Sequence, residues 1–146
     1  MNLAPPQRGD VIRYAYLWAD ESVRGREEAR KDRPAVVVAV SVTAGLSQPQ
    51  VLVLAVTHTP PNDPFDAVAL PNHLKAAVGL DDRPAWIVTT EGNAFVWPGP
   101  DIRPVPGRVP PVVVYGRMPT ALMRKVVESY LANRTRQRAR LVQRTE

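Results

Sequence analysis

Cysteine is absent from the 146 residues. Its absence excludes a disulfide scaffold, a thiolate zinc site and a cysteine nucleophile. Histidine is scarce: His58 and His73 are the only two. With no cysteine beside them they offer no metal-ligand spacing, so no metal or other cofactor is expected. There is no glycine-rich phosphate loop of the Walker or dinucleotide type. No Ser-His-Asp arrangement can be built from spacing alone. No apolar run approaches the length of a membrane span, so no membrane partner is expected. Met1 to Gly9 has no apolar h-region, which speaks against a secretory signal and makes the cytoplasm the expected compartment.

What is present is an ordinary globular balance, with 45% hydrophobic and 23% charged residues. The length suits one domain with a respectable core. Proline is abundant, at 16 residues, about twice average usage. The formal charge of +5 is carried entirely by residues 124–146, where Arg124, Lys125, Arg134, Arg136, Arg138, Arg140 and Arg144 face only Glu128 and Glu146. The reading is one domain over 1–131 followed by a basic tail or helix extension over 132–146. Such a tail suits an anionic partner such as nucleic acid, or is a solvated helix end with a frayed terminus.

The prolines cut the chain into short apolar runs. Val11 to Trp18 is β-branched and aromatic and follows a turn signal at Gly9-Asp10, so it reads as a strand. Asp20 to Asp32 is a charged, exposed loop. Pro34 to Val42 and Gln50 to Thr57 are nearly continuous apolar runs, hence buried strands, and Pro34 is tolerated at a strand opening. Phe65 to Leu70 alternates like a half-buried strand. Pro71 to Val78 has the look of one or two helical turns stopped by Gly79. Ala85 to Thr90, Ala94 to Trp97 and Val112 to Tyr115 are further short strands, with Glu91-Gly92-Asn93 as a turn. Near the C-terminus, Leu122, Val126 and Tyr130 line up at i, i+4, i+8, and Met123, Val127 and Leu131 lie beside them, one stripe of an amphipathic helix. Six or seven strands, a minor helix and a terminal helix make a mainly β, α+β chain, suggestive of a small barrel or sandwich.

The order of features in the first half is specific. Gly9-Asp10 opens a strand. Gly25-Arg26-Glu27-Glu28 lies in the charged loop, Arg33-Pro34 opens the second strand, and the third ends in Val56-Thr57. This order resembles the PemK/MazF family of toxin endoribonucleases, as a divergent branch, with Glu28 standing where the family has Gln. The resemblance covers roughly residues 8 to 131 and is sharpest from 9 to 70.

The resemblance implies a small SH3-like β-barrel of the PemK/MazF type with a C-terminal amphipathic helix, assembled as a homodimer. It implies a growth-inhibiting toxin of a type II toxin–antitoxin system, an mRNA interferase that cleaves single-stranded RNA without metal and is held in check by a cognate antitoxin. Arg33 matches the catalytic arginine, an electrostatic clamp and proton-transfer partner. Thr57 matches the catalytic threonine. Glu27, His58, Thr59 and Glu91 are the candidate substrate-binding residues. The chemistry fits the residue types. Attack of a ribose 2′-OH on phosphate builds charge on the phosphoryl oxygens, and a guanidinium offers a permanent, bidentate counter-charge.

Several alternatives stay open. His58 directly follows Thr57, so in a regular strand the two point to opposite faces, and His58 joins the site only if the strand has ended. Glu27 contacts RNA, pairs with Arg30 or Arg33, or is a solvated loop charge. Glu91 lines an RNA groove or is a turn carboxylate. Trp86, Phe95 and Trp97 are core residues or stacking platforms for bases. A non-catalytic nucleic-acid- or protein-binding module on the same barrel, and a degenerate toxin that titrates an antitoxin, are the competing functions.

Overall fold

The structure, a computed structural model, describes residues 3–19, 31–42, 48–136 and 139–144. The elements run β1 (Asp10–Tyr16), β2 (Lys31–Ser41), β3 (Gln50–Thr57), β4 (Ala67–Ala69), α1 (Asn72–Ala77), β5 (Trp86–Val88), β6 (Glu91–Val96), β7 (Val114–Arg117), α2 (Thr120–Thr135) and β8 (Arg140–Gln143). A single 3-10 turn, Pro64–Asp66, precedes β4.

All eight strands belong to one sheet with the path β4-β5-β3-β2-β1-β7. The expected SH3-like barrel of the PemK/MazF type is corrected here: the fold is mixed α/β, and its sheet is open. Among the described residues no ladder joins the end strands β4 and β7. The reason lies in β3. One of its edges carries β2. The other is divided, with Gln50 to Val53 pairing β6 and Val56-Thr57 pairing β5. The sheet therefore forks where a barrel would continue round. The ends are short, three residues in β4 and four in β7, and short edge strands resist further pairing.

The continuous apolar runs are explained by burial on both faces. Alternate residues of β1, β2 and β3 enter two separate cores. Val11, Val36, Val38, Leu54 and Val56 pack under α2, against Leu122, Met123, Val126 and Tyr130. Ile12, Tyr14, Tyr16, Val37, Val51 and Val53 meet Phe95, Trp97 and Val113 on the other side. The stripe read from residues 122–131 is therefore real, except that Leu131 is exposed. Phe95 and Trp97 are core side chains, while Trp86 is only half buried.

Gly9 and Asp10 act on the fold. Gly9 has φ +96, and a Cβ there would meet the Met118 carbonyl at 3.0 Å. Left-handed backbone and close approach together call for glycine. The Asp10 carboxylate accepts bonds from Gln7 N–H and from Arg117 Nε, both at 2.8 Å, which ties the strand opening to β7.

The segment read as a basic tail holds a strand. After α2 ends at Thr135, β8 runs parallel to β6, with Glu91 opposite Arg140 and Ala94 opposite Gln143. Glu91-Gly92-Asn93, expected as a turn, is thus the start of β6. Arg144 then enters the interior and is 8% exposed. Its guanidinium reaches Asp101 Oδ2 at 2.6 Å, the Ala15 carbonyl at 3.1 Å and Asn93 Oδ1 at 3.2 Å.

Candidate functional site

A groove of about 1190 Å³ opens where β1, β2 and β3 end and the 79–84 and 105–108 loops approach them. Arg33, Thr57, His58, Thr59 and Glu91 all line it. Glu27 lies outside the described residues, so the structure places it nowhere. Arg13, Trp18, Lys75, Arg108 and Tyr115 complete the walls.

Arg33 and Thr57 come together through register. β2 and β3 are antiparallel, with Ala35 opposite Ala55 and Val36 opposite Leu54. Beyond Ala35–Ala55 the same antiparallel course brings the Arg33 end of β2 towards the Thr57 end of β3, and both residues line the groove. The period of two keeps both on the face of their alanine neighbours. Two residues 24 apart in sequence thereby line one groove.

Arg33 is oriented by an aromatic stack. Its guanidinium carbon lies 4.9 Å from the centroid of the Trp18 ring, a cation–π distance. Trp18 meets Tyr16 edge-on at 4.9 Å. Tyr16 donates its hydroxyl to Glu91 Oε2 at 3.4 Å, and the same oxygen accepts the Ala19 N–H at 2.9 Å. Burial first, and then the Glu91 carboxylate, raise the Tyr16 pKa well above its ordinary value. The phenol therefore stays a donor, and Glu91 supports the end of β1 from the groove wall.

Thr57 has a local role for one lone pair. Its Oγ1 accepts the Thr59 N–H at 3.1 Å, an ST-turn that ends the strand. That bond uses the oxygen and not the hydroxyl proton. The turn places His58 outside regular strand, the condition under which it can share a site with Thr57. The His58 ring faces the 79–84 loop, with Nδ1 at 2.8 Å from the Pro84 carbonyl and Nε2 at 3.1 Å from Asp81 Oδ2. Asp81 Oδ1 in turn accepts the Arg83 N–H at 3.1 Å. From beneath, the Lys75 ammonium, only 1% exposed, donates to the Arg83 carbonyl. His58 and Lys75 thus fasten the same loop from its two sides.

The opposite wall is basic and aromatic. Arg13 Nη1 donates to the Tyr115 hydroxyl at 3.0 Å, and Arg108 Nη2 donates to the Tyr115 carbonyl at 3.2 Å. Asp32, at the groove edge, lies 3.6 Å from Arg103. Among the described residues no group of three or more His, Asp or Glu side chains is placed to hold a metal ion, and no helix is long and apolar enough to cross a membrane.

No family model matches the chain, and no curated protein matches it. Neither the PemK/MazF-like assignment nor the toxin–antitoxin and ribonuclease labels are borne out by a comparison. The site must be read from its own chemistry. An arginine near the start of β2, a threonine hydroxyl lining the same groove, and a further arginine and aromatic wall suit a phosphodiester with its bases.

Sequence reasoning missed Arg13, Trp18, Lys75 and Arg108. Arg13 carried a signal, as the one charge inside an otherwise apolar strand. Lys75 carried none, because a lysine on a short helix is ordinarily solvated.

Proposed function

We propose that this protein is an endoribonuclease that binds single-stranded RNA in the groove and cleaves it without a metal. The observation that carries the reading is that Arg33 and Thr57, from adjacent antiparallel strands, line one open groove. In the proposed step the ribose 2′-oxygen attacks the adjacent phosphorus, the O2′–P bond forms and the P–O5′ bond breaks. The products are a 2′,3′-cyclic phosphate and a 5′-hydroxyl. The proton lost from the 2′-OH is returned overall to the leaving oxygen, so the step consumes neither water nor cofactor. Arg33 offers its fork to the phosphoryl oxygens as charge develops there. Thr57 donates its hydroxyl to the same phosphate. Trp18 holds the Arg33 plane, and Arg13 and Arg108 supply further positive charge along the strand path.

The growth-inhibiting toxin role, the cognate antitoxin, the homodimer and the cytoplasmic setting belong to the same proposal and rest on the resemblance of the Gly-Asp, Arg-Pro and Val-Thr order. The test is incubation of the purified protein with a long mixed-sequence RNA in excess chelator, beside Arg33→Ala and Thr57→Ala. Cleavage with cyclic phosphate ends that both variants lose supports the reading. Full cleavage by both variants removes the site assignment, and intact RNA with wild-type protein removes the enzyme.

A further inference from the structure

A second surface adjoins the groove. It is a depression of about 610 Å³ between the 64–68 segment and the exposed side of α2. Ala67 lines both it and the main groove, so both border the start of β4. At its centre stands Phe65, which is 63% exposed.

The ring sits on fixed backbone. The Phe65 N–H is held by Asp63 Oδ1 at 2.9 Å. The Phe65 carbonyl accepts from Asn133 Nδ2 at 3.0 Å. Asn133 is itself buried on α2 and also donates to the Thr89 carbonyl at 3.1 Å. Arg136, at the end of α2, lays its guanidinium 5.7 Å from the Phe65 ring centroid. Lys125, about three helical turns before Arg136, brings a second cation, and Glu128 is the carboxylate that lines the same depression. An exposed aromatic ring with flanking cations is the arrangement by which proteins hold single-stranded nucleic acid without reading its sequence. Two of the basic residues of 124–146, Lys125 and Arg136, line this depression.

We propose that Phe65, Arg136 and Lys125 form an auxiliary RNA-binding surface for nucleotides that flank the cleavage site. One base stacks on Phe65, and the adjoining phosphates lie against Arg136 and Lys125. The proposal rests on the ribonuclease reading and says where the strand runs after it leaves the main groove.

The test uses the full chain and fluorescently labelled 2′-O-methyl RNA, which the proposed chemistry cannot cut. One probe is roughly 6 nucleotides, enough for the groove, and the other roughly 16, enough for both surfaces. Phe65→Ala is expected to weaken the long probe about tenfold and to leave the short one within about twofold. Phe65→Tyr retains the platform and restores binding. Arg136→Gln is expected to lower the salt dependence of long-probe binding by about 0.7 in the log–log slope. Equal affinity of wild type and Phe65→Ala for the long probe overturns the auxiliary surface, as does an equal loss on both probes. Wild-type protein that binds neither probe overturns the ribonuclease reading, and the surface with it. Phe65 is exposed and its anchoring bonds are made by backbone, so these variants are expected to fold.

Discussion

Two arginines in this chain are set in opposite ways. Arg144 is buried, and its guanidinium meets a carboxylate, a backbone carbonyl and an amide oxygen. Arg33 lies at an open groove with its plane against an indole. A guanidinium closed in by acceptors has its charge answered within the protein and acts as a structural bolt. Arg33 meets its indole at a groove wall, where a ligand can also reach the residue. Both residues come from a chain with the same surplus of positive charge, so composition alone does not separate them. Their partners do.

The comparison is broken first at Arg144. Arg144→Met leaves Asp101 buried without its counter-charge and is expected to cost about 3–5 kcal/mol. Urea unfolding followed by tryptophan fluorescence measures it. Amide exchange should show β8 released from β6. A loss below about 1 kcal/mol would mean that the pair is exchangeable for packing.

Arg33→Ala makes the complementary change. Catalysis should fall by about 10²–10³, with a smaller loss of stability than at Arg144, because Arg33 is half-buried where Arg144 is buried. A large loss of stability in this variant would erase the distinction between the two arginines.

Tyr16 links β1 to Glu91, and its effect is smaller and depends on pH. Its folded-state pKa is raised, so the native state holds the phenolic proton more tightly than the unfolded chain. The stabilisation is complete below the unfolded value of about 10 and is lost as pH rises beyond it. Tyr16→Phe should cost about 1 kcal/mol at neutral pH and should flatten the alkaline fall in stability. Unfolding curves in steps from pH 8 upward would show this, and an unchanged alkaline limb would refute it.

Trp18 gives the finest test. Trp18→Leu removes the π face and is expected to lower cleavage about three- to fivefold, as for an exposed cation–π contact. Trp18→Phe should recover most of it. Steady-state kinetics should place the loss in kcat, since a misaligned clamp weakens the transition state more than binding. A loss confined to KM would assign Trp18 to substrate contact.

Much of the local structure was legible in the residues. Gln50 to Thr57 is β3 with the same ends. The Pro71 to Val78 turns contain α1, and the stripe from Leu122 onward is α2. β2 begins at Lys31, earlier than the proline suggested, because Pro34 faces Arg13 in the ladder without having to donate. Phe65 to Leu70 was half right: a 3-10 turn takes the first residues, since Pro64 and the Asp63 cap favour a turn over extension. Of the candidate site, Arg33, Thr57, His58, Thr59 and Glu91 share one groove, and Glu27 falls outside the described residues. The arginine and the threonine were recognisable because each stands at the end of an apolar run. Trp18 and Lys75 were not, because an indole beside a guanidinium and an ammonium under a loop carbonyl are contacts between distant segments.

The sequence by itself determined most of the extended and helical stretches, β3, α1 and α2 among them, and that β2 and β3 are buried. Periodicity and turn residues are local quantities that report only whether something covers a side chain. The tertiary structure alone decided what covers it. Whether β3 shares an edge between two strands or carries one, and so whether the sheet opens or closes, depends on pairings far apart in the chain. So does the docking of β8 beside β6, which is held by the bond between Arg144 and Asp101 across 43 residues. Pairings of this kind leave no periodic mark, because their partners are matched by three-dimensional register and buried charge, not by neighbourhood.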